Sequence, residues 1–81
     1  MVNWDDLIEE LNSIGIEVYA NLTTLENNLL YTRLIYDNIE ESKETVDTMV
    51  LSNFEGQFTL RSTLENKQYK AIISEYTEVI S

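Results

Sequence analysis

Apolar and polar residues alternate along the chain with two different periods, and the first stretch has the period of an α-helix. One stripe at three- and four-residue spacing contains Trp4, Leu7, Ile8, Leu11 and Ile14. The side-chain oxygen of Asn3 can accept a hydrogen bond from the first turn, and Gly15 can take the left-handed conformation that ends a helix. The pattern therefore predicts an amphipathic helix over 4–14.

The segments that follow this helix favour strands. Residues 16–22 alternate between apolar and polar positions, as in a half-buried strand, and a further strand is predicted over 57–62. Residues 29–36 are rich in aromatic and large aliphatic side chains on both faces, which is typical of a central strand. We interpret 23–28 as a turn in which two asparagines adopt left-handed geometry, but its Thr-x-x-Glu spacing also fits a capping box that begins a helix.

Two segments of the second half fit either a helix or a strand. Residues 40–52 have apolar residues at helical spacing together with the Thr and Val content of a strand. The C-terminal stretch has a helical stripe that contains Tyr69, Ile72, Ile73, Tyr76 and Ile80, although it is also rich in strand-forming residues. The predicted fold is a single α+β domain spanning 1–81. Its N-terminal helix packs on a small antiparallel sheet of 16–22, 29–36 and 57–62, and a second helix lies at 40–52 or near the C-terminus.

A short sequence recurs between the two halves of the chain. Thr24-Leu25-Glu26-Asn27 is repeated as Thr63-Leu64-Glu65-Asn66, and other apolar positions match at the same offset. A duplicated α-β-β unit would explain the recurrence and would favour a helix at 40–52 and a strand at the C-terminus. We prefer coincidence as the interpretation, because two copies fall short of a repeat architecture.

The amino-acid composition excludes most classes of catalytic site. The 81-residue chain has no Cys and no His, so thiolate nucleophiles, Ser-His-Asp triads and the commonest transition-metal ligands are excluded. Two glycines are too few for a P-loop or a dinucleotide-binding motif, and the acids lack the spacing of a calcium loop. We therefore expect no catalytic residues, no cofactor and no metal site. The chain has neither a signal segment nor a long apolar run, which predicts a cytoplasmic protein.

The charge balance predicts a basic partner. Asp and Glu number 15 against five Lys and Arg, which gives a net charge of −10. The candidate partner-binding residues are acids of the first helix, acids of the segment after the central strand, and one tyrosine on the polar face of the first strand: Asp5, Asp6, Glu9, Glu10, Tyr19, Asp37, Glu40, Glu41 and Glu44. Asp47 is a further candidate for the second acidic group.

The acids of the first helix form two rows of like charge at four-residue spacing. Each such pair costs a few tenths of a kcal/mol, so a helix that needed only solubility would gain from Lys at position 9 or 10. One interpretation is a solvated face. The other is a surface that occupies a Lys- and Arg-lined groove where nucleic acid otherwise binds. Direct contact with nucleic acid or with an anionic membrane is not expected.

The opening sequence resembles a known family. Asn3-Trp4-Asp5-Asp6-Leu7-Ile8-Glu9-Glu10-Leu11, followed by a turn and the strand 16–22, resembles the start of small acidic phage-encoded anti-CRISPR proteins. The resemblance implies a DNA-mimic inhibitor without enzymatic activity that acts on a nuclease in the host cytoplasm. Two alternatives remain open. One is a small phage assembly module that pairs, as a homodimer or otherwise, through a sheet edge or its tyrosines; the other is an antitoxin or immunity protein.

Overall fold

The computed structural model describes residues 2–37, 42–54, 58–66 and 68–79, and side chains are described throughout except at 58–64. Its elements in chain order are α1 (Trp4–Ser13), β1 (Val18–Glu26), β2 (Leu29–Asp37), α2 (Ser42–Asn53), β3 (Phe58–Asn66) and β4 (Ala71–Val79). The strands form one antiparallel sheet in the order β1-β2-β4-β3. The predicted α+β class, with an N-terminal helix and a small antiparallel sheet, is confirmed.

Both halves of the chain have the element order helix, strand, strand, and their hairpins meet through β2 and β4 in the middle of the sheet. Leu7 and Leu11 of α1 match Val46 and Val50 of α2 in the repeat, and all four side chains are buried in the core. This is the element order that a duplicated α-β-β unit predicts, with a helix at 42–53 and a strand at the C-terminus.

The second helix lies in the middle of the chain, so the alternative of a helix near the C-terminus is wrong. Ile72 and Ile73 fit a helical stripe, but they point to opposite faces of a strand that has a neighbour on each side. A strand in this position packs apolar side chains on both faces. Its sequence therefore loses the alternation that usually distinguishes a strand from a helix.

The first hairpin is longer and tighter than predicted. β1 begins at Val18 and continues to Glu26, so the predicted turn and the alternative of a helix within 23–28 are both wrong for most of that segment. Only Asn27 and Asn28 form the turn, with φ of 50° and 64°. Two consecutive residues with positive φ match the right-handed twist of the flanking strands, and asparagine tolerates this conformation better than most residues. The left-handed geometry predicted for this pair is confirmed.

Both helices pack on the same face of the sheet. The buried core contains Val2, Leu7, Leu11, Ile16, Leu34, Tyr36, Val46, Val50, Ile72 and Tyr76. Trp4 is half-buried against this core, with its ring centroid 5.9 Å from that of Tyr76 and 6.4 Å from that of Phe54. The opposite face of the sheet, where Arg33 is paired in register with Glu75, has no helix of the described chain packed on it. We call it the helix-free face.

Candidate functional site

The four acids predicted on the first helix lie together on the exposed face of α1; they are Asp5, Asp6, Glu9 and Glu10. The rotation of the helix is fixed from the other side, because Leu7 and Leu11 are buried in the core. Asn3 caps the helix as predicted: its Oδ1 accepts a hydrogen bond of 3.2 Å from the Asp6 backbone N–H, and its Nδ2 donates to Asp6 Oδ2 at 2.9 Å. We call these four residues the α1 acidic face.

No described Lys or Arg forms an ion pair with the α1 acidic face. The ion pairs placed by the described residues lie elsewhere, between Arg33 and Glu75 on the helix-free face and between Lys43 and Asp47 on α2. Arg33 is the first Lys or Arg of the sequence, and every charged side chain before it is acidic. The part of the molecule formed by α1 and β1 is therefore uniformly negative.

The structure describes only part of the second predicted acidic group. Asp37 is half-buried at the end of β2, Glu44 is exposed in the first turn of α2, and Glu40 and Glu41 lie outside the described residues. Tyr19 is 51% exposed, and its hydroxyl donates a hydrogen bond of 2.8 Å to Asp37 Oδ1. This bond to the carboxylate raises the pKa of Tyr19. Tyr19 and Asp37 thus form one polar pair that joins β1 to β2.

Asp47 has a structural role, which corrects its prediction as a surface acid. Its Oδ1 accepts a hydrogen bond of 2.5 Å from the Tyr76 hydroxyl, and its Oδ2 lies 2.6 Å from Lys43 Nζ. Close by, the hydroxyls of Tyr36 and Ser74 share a hydrogen bond of 2.9 Å. Burial raises the pKa of Tyr36 to about 12, and burial together with the Asp47 carboxylate raises the pKa of Tyr76. Both tyrosines are therefore neutral at physiological pH, and they join the sheet to α2.

The structure also shows an exposed segment that sequence reasoning missed, the second half of the edge strand β1. All residues from Leu22 to Glu26 are exposed, and the largest apolar side chains, Leu22 and Leu25, are 61% and 65% exposed. The register places Leu22 on the helix-free face with Arg33 and places Leu25 on the other face with Leu30. The two threonines between these leucines were the available signal, since Thr is a strand former.

The helix-free face has a shallow groove beside this strand. It has a volume of about 350 Å³ and is lined by Leu22, Thr24, Tyr31, Thr32, Arg33 and Glu75. Arg33 Nε donates a hydrogen bond of 3.0 Å to Glu75 Oε1 there, so the charges on its floor neutralise one another. Within the described ranges, no cluster of three or more His, Cys, Asp or Glu has the arrangement of a metal site, and no helix has the length and apolarity to cross a membrane.

The α1 acidic face and the exposed edge of β1 are both suited to contact with another macromolecule. Comparison of the chain with protein-family models, with curated proteins and with solved structures gave no match. The resemblance of residues 3–22 to anti-CRISPR proteins therefore stays a prediction.

Proposed function

We propose that this is a non-enzymatic binding protein whose α1 acidic face occupies a basic, nucleic-acid-binding groove of a partner protein. The observation that supports the proposal is the set of four exposed carboxylates on one helix face with no described counter-ion. Each row of like charge lowers the stability of the helix slightly. A partner that brings Lys and Arg to this face relieves the repulsion when it binds.

The electrostatics of such a complex follow from the net charge of −10. Long-range attraction raises the rate at which a basic partner is encountered, and carboxylates replace phosphates as counter-charges for its Lys and Arg side chains. The affinity should fall as salt is added, because surface charges are screened over about 8 Å at physiological ionic strength. Tyr19 adds an exposed aromatic ring whose hydroxyl is held by Asp37, and tyrosine is enriched in protein interfaces.

The resemblance of residues 3–22 favours one member of this class, an anti-defence inhibitor of an RNA-guided DNA nuclease made by a phage and acting in the host cytoplasm. On such a nuclease, the α1 acidic face would occupy the site that binds the PAM duplex, the short DNA motif beside the target sequence. Glu40, Glu41 and Glu44 belong to this proposal as a second group of acids, of which the described residues include only Glu44.

A competition experiment tests the proposal. An RNA-guided nuclease complex is mixed with the protein, and binding of a fluorescent target duplex is followed by anisotropy at low and at moderate salt. The double variant Asp5→Asn/Glu9→Gln removes one row of the α1 acidic face, and Glu17→Gln/Glu65→Gln removes the same charge from exposed positions elsewhere. We expect the α1 variant to inhibit about tenfold less well, equivalent to about 1.4 kcal/mol, and the control variant to inhibit like the wild type. Equal inhibition by all three proteins would contradict the proposal.

A second candidate function is an assembly module. The exposed edge of β1 and the helix-free face favour it, because both offer surface to another sheet. Such a module should self-associate in sedimentation experiments with little dependence on salt, and a strict monomer at high concentration would contradict it. An antitoxin would present the same acids to a basic toxin, and a gene for such a toxin beside this one would favour that alternative.

A further inference from the structure

We propose that β1 is a docking site for an extended segment of the partner protein that carries Lys or Arg and adds to the sheet as a further strand. The inference rests on the proposed function in one respect, that the partner is basic. Beyond that function, β1 makes the backbone contact, and the partner segment lies there in an extended conformation.

The sheet has two edges, and only β1 offers a long regular one. The strand order places β1 and β3 at the edges. In β3 the register shifts between Leu60 and Ser62, in the middle of the strand, and the residue between them is Arg61. A central bulge and a charged residue are two of the ways in which natural edges resist pairing. In β1 the shift lies at the start of the strand, between Val18 and Ala20, and residues 20–26 pair with β2 without interruption.

The regular part of β1 has, in its middle, none of the features by which edge strands usually avoid pairing with another strand. Residues 20–25 include no charged residue and no proline, and the only charge in the strand is Glu26 at its end. Every second residue of an edge strand directs its N–H and C=O away from the sheet, where they can bond to an added strand. Leu22 and Leu25, exposed on opposite faces, offer apolar contacts to side chains on both faces of such a strand.

Charge decides which kind of strand fits this edge. Every charged side chain of α1 and β1 is acidic, and the nearby Arg33 of β2 is paired with Glu75, so a segment with Lys or Arg at alternate positions meets mainly opposite charge. A second copy of this chain would instead meet charges of its own sign. In an antiparallel pair of β1 strands, Glu26 of each copy would lie at the end where the other copy has Glu17, and each copy carries a net charge of −10.

Amide hydrogen exchange on the wild-type protein, followed by NMR, tests the proposal. The probe is a synthetic peptide of alternating Lys and Val with blocked ends. The matched control is the same peptide with every backbone amide N-methylated, which keeps the charge and the side chains but removes the donors and places methyl groups on both edges. At millimolar peptide, we expect the outward amides of residues 20–26 to exchange about tenfold more slowly with the probe and at an unchanged rate with the control. The amides of β3 should not change with either peptide.

Each other outcome overturns the proposal. Equal protection by both peptides would mean that side-chain charge alone holds the peptide, and absence of protection in β1 would mean that the edge does not accept a strand. Protection of β1 without peptide, together with a dimer in sedimentation, would assign the edge to a second copy. The nuclease competition experiment on the wild-type protein separates the two proposals. If β1 is still protected while nuclease inhibition by the wild type is absent, the docking edge stands and the proposed function fails.

Discussion

The hydroxyl of Tyr76 donates a hydrogen bond to the carboxylate of Asp47, and this contact joins the central strand β4 to helix α2. The same tyrosine ring packs against Trp4 at the start of α1, with ring centroids 5.9 Å apart. Tyr76 is 1% exposed. One side chain of the sheet therefore contacts both helices, through its ring on one and through its hydroxyl on the other.

Replacing Tyr76 by phenylalanine should destabilise the fold. The variant keeps the ring but leaves Asp47 Oδ1 without its donor in a position where the side chain is only 14% exposed. A loss of about 1–3 kcal/mol in the free energy of unfolding is expected, which lowers the melting temperature by about 4–8 °C for each kcal/mol. Tyr19→Phe is the matched control, because the bond from Tyr19 to Asp37 lies at the exposed surface. Equal melting temperatures for the two variants would show that the buried bond contributes nothing.

The buried tyrosines also predict how stability depends on alkaline pH. The pKa of Tyr36 is raised to about 12 and that of Tyr76 is raised, whereas in the unfolded chain both titrate near 10. Above pH 10 the unfolded state therefore loses protons that the folded state keeps, and the free energy of unfolding falls as pH rises. The slope should approach about 1.4 kcal/mol per pH unit for each tyrosine, and Tyr36→Phe should remove one of the two contributions. Urea denaturation at pH values from 8 to 11 measures this slope, and a flat profile would mean that both hydroxyls ionise freely in the folded state.

The sequence was sufficient wherever the deciding contacts are local. The spacing of Leu7 and Leu11, the cap at Asn3 and the left-handed Gly15 determined α1 to within about a residue. The same spacing placed the four acids on the exposed face, since they occupy the positions opposite the buried stripe. Asn27 could be assigned to the hairpin turn for the same reason, because the preference for positive φ belongs to the residue itself.

The sequence was insufficient where the deciding contact lies far along the chain. Asp47 looked like another surface acid because its partner Tyr76 is 29 residues away, on an element whose type was itself ambiguous. β4 could not be distinguished from a helix because its burial comes from β2 and β3, not from its own pattern. The recurrence between the two halves of the chain was a sequence signal that favoured a strand at the C-terminus. Two α-β-β units place a strand at the C-terminus, and this weak signal predicted β4 better than the helical stripe did.

Replacing Glu10 by lysine should stabilise the protein and weaken its binding. Glu10 lies in the last turn of α1, where the helix dipole disfavours an anion, and four residues after Asp6, where a Lys would form a favourable pair. We expect a gain of about 0.5–1 kcal/mol at low salt that disappears near 1 M salt, and Glu10→Gln should gain less. Inhibition of a basic partner should fall in the same variant. A stabilised variant that still inhibits like the wild type would mean that Glu10 takes no part in binding.

Replacing Thr77 by valine should raise the melting temperature. Thr77 is 7% exposed in β4, and its Oγ1 has no hydrogen-bond partner among the described residues. Valine has nearly the same shape and is also a strand-forming residue, so it removes the unpaired hydroxyl without leaving a cavity. The gain should be about 1 kcal/mol in the free energy of unfolding, measured by urea denaturation. Thr77→Ser is the control, because it keeps the hydroxyl, loses the methyl group and should be less stable than the wild type. If valine destabilises instead, the hydroxyl is bound to an internal water, and loss of that water accounts for the difference.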